Sequence, residues 1–319
     1  MSAERLSDNL MQPFQLESSA LRGRVIRLGD TVDRVLTRHA YPEPVSRLLG
    51  ELLVLTATLA GALKYAGVFS LQTRSDGPVS FMVADCTADG ALRGYARFDA
   101  ARLGALGDEP TGADLLGRGH LALTVDQGRY SEAYQGIVEL SGETLTESML
   151  AYFRRSEQLQ TGLRIAVDRV DDEAAGGGHR PRWRAGGLMV QRLPEEEARG
   201  RAPGGGRDAG EPQEDWRRTM ILLGSATDGE LVDPGLPPRA LLYRLFHEEG
   251  VRVFEPMTLG FGCRCNRERV EALLRSFGED ELEEMKRPDG RIDVTCEFCN
   301  EDFVFDDADP RALRGARSH

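Results

Sequence analysis

Four of the five cysteines in this chain of 319 residues stand in two close pairs, Cys263-Arg-Cys265 and Cys296-Glu-Phe-Cys299, separated by residues 266–295. Two chelating pairs on either side of a helix-sized insert have the layout of a structural zinc site, four thiolates completing a tetrahedron around one ion. Zinc keeps sulfur as thiolate, the form that attacks peroxide or hypochlorite, so such a site is fixed in structure yet open to oxidation. Oxidation of adjacent sulfurs would eject the metal. A disulfide spanning a single intervening residue is strained, and strain favours reduction, which would make the change reversible. The spacing therefore reads as an oxidant sensor that resets.

Blander chemistry competes with this reading. An inert zinc ribbon could recruit a protein or nucleic acid without any switching. The insert holds nine acidic against six basic residues, a poor face for phosphate. The first pair is also tighter than the two-residue separation usual in ribbons. A thiol-disulfide oxidoreductase would need Cys296 and Cys299 to turn over without metal.

Other reactive side chains carry less. Cys86 closes the apolar stretch "SFMVADC" and reads as a small buried hydrophobe. His247 in "FHEEG" has no second histidine at helical spacing and fits a helix C-terminus. His39, His120, His179 and His319 are scattered, and no serine or cysteine nucleophile has an evident partner. Gly204, Gly205 and Gly206 lack the Lys-Ser or Lys-Thr of a phosphate loop. No enzyme is expected.

The elements that must position the cysteines follow from periodicity. In the insert, Asn266 suits a helix cap, and Val270, Leu273, Leu274 and Phe277 form an i, i+3, i+4, i+7 stripe ending near Gly278. Leu282 and Met285 continue an apolar face. Asp289-Gly290 turns the chain, Ile292 and Val294 alternate into a strand that delivers Cys296, and Phe303 and Phe305 mark a further strand. So small an apolar set makes metal the expected source of stability, on the order of 10 kcal/mol in small zinc peptides.

Upstream, "VSRLLGELLVLTATLAGAL" reads as a buried helix. "VFSLQTR", "PVSFMVADC" and "GALRGYARF" read as a meander with Asp-Gly turns at 76–77 and 89–90. "HLALTV" and "GIVEL" add strands, "LTESMLAYFRRSEQL" a helix with "FRRSEQ" on its solvated face, and "LRIAVDRV" and "GLMVQRL" two more strands. At Pro194 the composition changes: residues 194–215 are charged, rich in glycine and proline, and predicted to be flexible. Trp183 and Trp216 flank this tract. Beyond it, Trp216, Met220 and Leu223 fall at helical spacing. Leu241, Leu242, Leu245 and Phe246 share one face of a second helix opened by Pro237 and Pro238 and closed by Gly250. Such short helices dock only by borrowing apolar surface, and so are candidates for conditional folding.

The expected fold is α+β: a core of antiparallel sheets packed with helices over 1–193, a flexible and helical linker over 194–254, and a small four-cysteine zinc domain over 255–319. Forty basic and fifty-two acidic side chains give a net charge of −12, which disfavours nucleic acid as a partner. The first thirty residues intersperse charges and lack a secretory apolar stretch. The longest uncharged apolar run, 52–63, is twelve residues against roughly twenty for a membrane span, so no membrane is expected. Sparse, clustered cysteine points to a reducing cytoplasm.

On the two cysteine pairs, and on "LLYRLFHEEGVRVFEP", "CRCNRERV", "YFRRSEQLQT" and "GGLMVQRLP", the chain resembles the redox-regulated heat-shock chaperones of thirty-three kilodaltons, a bacterial holdase family. The resemblance implies a reduced, inactive state with zinc on Cys263, Cys265, Cys296 and Cys299, in which linker and terminal domain cover an apolar surface of the core. It implies that oxidation forms Cys263–Cys265 and Cys296–Cys299, releases zinc and unfolds both segments. An oxidised homodimer would then hold unfolding client proteins without ATP. The tract 194–215 is longer and more polar than the resemblance leads one to expect, which leaves its role as client contact or spacer open.

Overall fold

The computed structural model describes residues 8–61, 67–126, 134–140, 144–171, 181–193 and 212–306. The chain divides into two compact units, Met1–Phe261 and Gly262–His319.

The first unit runs β1 (Asn9–Leu16), β2 (Leu21–Leu28), α1 (Asp30–Thr37), α2 (Glu43–Ala60), β3 (Val68–Ser75), β4 (Val79–Thr87), β5 (Ala91–Phe98), α3 (Ala100–Gly104), α4 (Gly112–Leu116), β6 (Gly119–Asp126), β7 (Tyr134–Glu139) and α5 (Leu145–Tyr152). It continues through β8 (Thr161–Asp171), β9 (Pro181–Arg192), α6 (Pro212–Gly224), α7 (Asp228–Val232), α8 (Pro238–Phe246), β10 (Val251–Val253), β11 (Met257–Thr258) and β12 (Gly260–Phe261). One six-stranded sheet has the order β10-β1-β2-β9-β8, with β11 also on β1; a second has the order β12-β5-β4-β3-β6-β7. All pairings among the described strands are antiparallel except β12 on β5.

Helix α2 packs against strands of both sheets. Leu49, Leu52, Leu53, Val54 and Leu55 are fully buried, which is why its apolar run wraps the whole helix instead of forming one stripe. The expected meander and its two Asp-Gly turns are present. Cys86 is buried in β4, among this core.

Several elements depart from the sequence reading. β1, β2 and α1 occupy residues 9–37, where the sequence reading assigned no individual element. Helix α5 stops at Tyr152, because residues Phe153–Glu157 form a wider π turn that ends at Gln158 in the left-handed region, φ 53°. The π turn buries Phe153 and exposes Arg154 and Arg155. Most of the tract 194–215 lies outside the described residues. Pro212–Asp215, however, are the first turn of α6, with Pro212 leading the helix where a missing N–H is harmless. Residues 257–261, assigned from sequence to the terminal domain, pair with β1 and β5 and belong to the first unit.

Helices α6–α8 cover the outer face of the first sheet. Phe14, Leu16, Leu21, Val25, Leu188 and Val190 from the strands meet Leu223, Leu231, Leu241, Leu242, Leu245 and Phe246 from the helices in one buried cluster. Each large apolar side chain buried here contributes about 1.5–3 kcal/mol. A polar seam borders it: Arg218 Nε donates to Glu249 at 2.6 Å and its Nη2 to Asp215 at 2.9 Å, while Ser18 Oγ donates to Glu249 at 2.7 Å. Burial makes these three partners consequential, since Glu249 is only 5% exposed.

Candidate metal centre

The second unit builds its site on α9 (Arg267–Leu274), α10 (Glu279–Glu284), β13 (Ile292–Thr295) and β14 (Asp302–Phe305). Asn266 caps α9 by accepting from the Arg269 backbone N–H at 2.8 Å, which fixes the chain directly after Cys265. Arg269 Nη1 donates to the Arg264 carbonyl at 2.6 Å, folding the loop that carries the first pair. Register Ile292↔Phe305 through Thr295↔Asp302 aligns β13 with β14. At its end Cys296 N–H donates to the Glu301 carbonyl at 2.9 Å, and Asn300 N–H to the Cys296 carbonyl at 2.8 Å. The second pair is therefore held on a tight turn.

Val270, Leu274, Leu282, Ile292, Phe303 and Phe305 form the unit's small core, with Cys265 and Cys296 packed against it. Leu273 and Met285, expected on the apolar face, are 53% and 41% exposed. Two short helices and one hairpin cannot wrap a whole stripe. Arg267 lies over the Phe305 ring at 4.3 Å and donates to the Val304 carbonyl at 2.8 Å, a brace that composition did not reveal.

All four expected ligands converge: the sulfurs of Cys263, Cys265, Cys296 and Cys299 lie within 4.8 Å of one another. Cys263 Sγ is 3.7 Å from Cys296 Sγ, and Cys265 Sγ is 3.2 Å from Cys299 Sγ. A tetrahedral ion with metal–sulfur bonds of about 2.3 Å requires sulfur–sulfur edges of roughly 3.8 Å, so the donor set fits one shared ion. Both of these contacts cross between the pairs and tie the four sulfurs into one group.

The electrostatics argue the same way. Burial pushes Cys263 up, but the Cys265 backbone N–H and the neighbouring thiols donate to it and bring it down to about 7. Burial and the surrounding sulfurs push Cys265 upward. Cys299 rises to about 11, burial outweighing the hydrogen bonds from Cys265 and Glu301. One thiolate forms readily and its neighbours resist. A bound divalent cation removes that resistance by compensating the accumulating negative charge.

The remaining candidates fall elsewhere. His247 closes α8 with Nδ1 3.1 Å from the Tyr243 carbonyl, as its helix-terminal position suggested. His39 packs beside Tyr41 and Tyr95. His120 lies on β6, while His179 and His319 are outside the described residues. Trp183 is buried beneath Arg169 and Arg47, and Trp216 packs on the cluster under α6–α8. No described helix is long and apolar enough to cross a membrane.

Comparison with known proteins agrees with this geometry. A family model described as Hsp33 protein matches residues 9–306. The 33 kDa chaperonin of Caulobacter vibrioides (strain NA1000 / CB15N) is 40% identical over 302 residues, covering 94% of this chain and 95% of the relative. That of Pseudomonas fluorescens (strain SBW25) is 38% identical over 303 residues, covering 95% and 92%. The crystal structure of the 33 kDa chaperonin from Thermotoga maritima superposes with a TM-score of 0.73 at 23% identity, over 96% of this chain and 97% of that one, and so shares the fold. With a family model spanning nearly all of the chain and relatives this similar over nearly their full length, the chain belongs to the Hsp33 family.

Proposed function

We propose that this chain is an ATP-independent holdase chaperone switched by oxidation of its four clustered cysteines. The observation that carries the reading is the convergence of four sulfurs within 4.8 Å in a unit whose own core is six side chains. Cys263, Cys265, Cys296 and Cys299 hold zinc in the reduced state, and zinc supplies the cross-link that the small core lacks.

Oxidation joins Cys263 to Cys265 and Cys296 to Cys299. Each pair of thiolates, in forming its disulfide, passes two electrons to one hydrogen peroxide, which with two protons leaves as two waters. The four thiolate ligands are thereby consumed, the ion has no donor set, and the second unit loses its brace. The linker, 194–254, then detaches from the core, 1–193, and the apolar face beneath α6–α8 becomes available to unfolding clients. The active form is a homodimer. The protein acts in the cytoplasm on protein clients, not on nucleic acid or membrane, and catalyses no reaction.

The test measures zinc release, hydrogen exchange and client holding on one sample. Peroxide with mild heat is expected to release close to one zinc per chain and to suppress aggregation of a denatured client, with reversal by dithiothreitol. Equal holding by the reduced, metallated protein would overturn the switch in favour of a constitutive zinc-ribbon module. Insulin reduction by the metal-free protein would favour an oxidoreductase.

A further inference from the structure

The face under α6–α8 is more than apolar. Arg27 on β2, Arg184 on β9 and Arg164 on β8 point from it alongside Val25, Leu188 and Ala166, as the registers Arg27↔Gly186 and Arg164↔Leu188 require. Arg27 is 2% exposed, and its three hydrogen bonds all end on main-chain carbonyls: Asp233 at 3.0 Å, Glu230 at 2.8 Å and Leu236 at 2.8 Å. Arg184 Nε donates to the Val232 carbonyl at 2.8 Å while its Nη2 pairs with Asp8, and Arg164 Nη1 donates to the Gly224 carbonyl at 3.0 Å while its Nη2 pairs with Asp228 at 2.7 Å. Five carbonyls are thus read by three guanidinium groups. Several lie at the ends of α6 and α7, where helix carbonyls have no internal donor.

The floor of the face admits main chain. A Cβ at Gly186 would lie 1.9 Å from the Leu231 carbonyl oxygen. Only glycine permits such approach.

We propose that this arginine set is the recognition chemistry of the client site: once α6–α8 leave, Arg27, Arg184 and Arg164 bind the unpaired backbone carbonyls of an unfolded chain, whose apolar side chains occupy the surrounding surface. The inference rests on the holdase reading above. Backbone carbonyls are present in every protein and most accessible in unfolded ones, so these donors favour the unfolded state without selecting a sequence. Burial beneath the helices pushes the Arg27 guanidinium down to about 10, and its Nε has no partner among the described residues, so release exposes a cation with a donor to spare. Charge-assisted bonds to carbonyls are among the stronger neutral-acceptor contacts.

The experiment uses the full chain, reduced and peroxide-oxidised, with a fluorescent, reduced and carboxymethylated unfolded protein as probe. Wild type is compared with Arg27→Met, Arg27→Lys and the more peripheral Arg164→Met, which keeps the test valid if the first variant folds poorly. Hydrogen exchange over 224–236 reports release of the covering segment, and titration reports Kd. The expected result is full release in every oxidised protein, Kd weakened about tenfold by Arg27→Met, less by Arg164→Met, and partly restored by Arg27→Lys. Amidating the probe's carboxyl groups leaves these differences intact. Unchanged Kd with full release overturns the clamp while leaving the holdase reading standing. Loss of the differences on amidation, or continued protection of 224–236 in oxidised wild type, overturns it as well. Failure of oxidised wild type to bind the probe overturns both.

Discussion

Phe14 on β1 and Phe246 at the end of α8 stack with ring centroids 5.9 Å apart and planes inclined by 24°. Both are buried, at 1% and 0% exposure, although 231 positions separate them in the chain. This contact joins the first strand to the last covering helix, so it reports directly on whether that helix is docked.

Phe246→Ala removes one side of the stack and leaves a cavity, at a cost of about 3–5 kcal/mol. Hydrogen exchange across 238–246 should rise in the reduced protein, and client holding should appear without oxidant. Protection equal to wild type would show that the helix is held by other contacts.

Cys299 is the most buried of the four cysteines, 3% exposed. Cys299→Ser should reduce bound zinc, measured by a chromogenic chelator, to well below one per chain, and removing metal from wild type with a strong chelator should abolish exchange protection at Leu274 and Phe305. Retention of that protection without metal would mean the unit is stable on its own core.

Asn266 caps α9 next to Cys265. Asn266→Ala is expected to destabilise the second unit by about 1 kcal/mol, and by linkage to lower zinc affinity roughly fivefold. Competition against a chelator of known affinity decides this.

Glu51 on α2 is half-buried and accepts from Thr146 N–H at 2.9 Å and Thr146 Oγ1 at 2.6 Å. Burial pushes its carboxyl above the ordinary 4.5, against those hydrogen bonds. The folded state therefore binds the proton more tightly than the unfolded state. Its contribution is fully favourable below the unfolded value and declines as pH rises through the folded one. Glu51→Gln should raise Tm at pH 7.5 by roughly 2–4 °C, with the gain vanishing as the pH falls below 4.5. A gain independent of pH would trace to packing instead.

The four-cysteine cluster was legible because its pattern is written locally: two pairs, a capped helix and a hairpin suffice to bring four sulfurs together. Helix α2 was equally legible, since only burial on all sides explains so long an uncharged run. The opening strands were not. "LRGRVIRL" looks like solvent-facing chain because of its arginines, yet Arg27 is buried and donates to carbonyls more than two hundred positions downstream. Periodicity cannot reveal a polar group whose partner is tertiary. The π turn at Phe153–Glu157 escaped for a related reason, since one extra residue per turn changes which side chain faces inward without changing composition.

Downstream of α8 the chain returns to the sheet. Val251, Arg252 and Val253 pair with Leu16, Gln15 and Phe14, and upstream Leu193 N–H donates to the Ala20 carbonyl at 2.9 Å. While those anchors hold, anything between them that lets go remains a closed loop and not a free tail. Its return is then unimolecular, at an effective concentration near the millimolar range expected of short tethers and lower for a longer loop. The covering helices are accordingly able to re-dock on their sheet without the help of a second molecule.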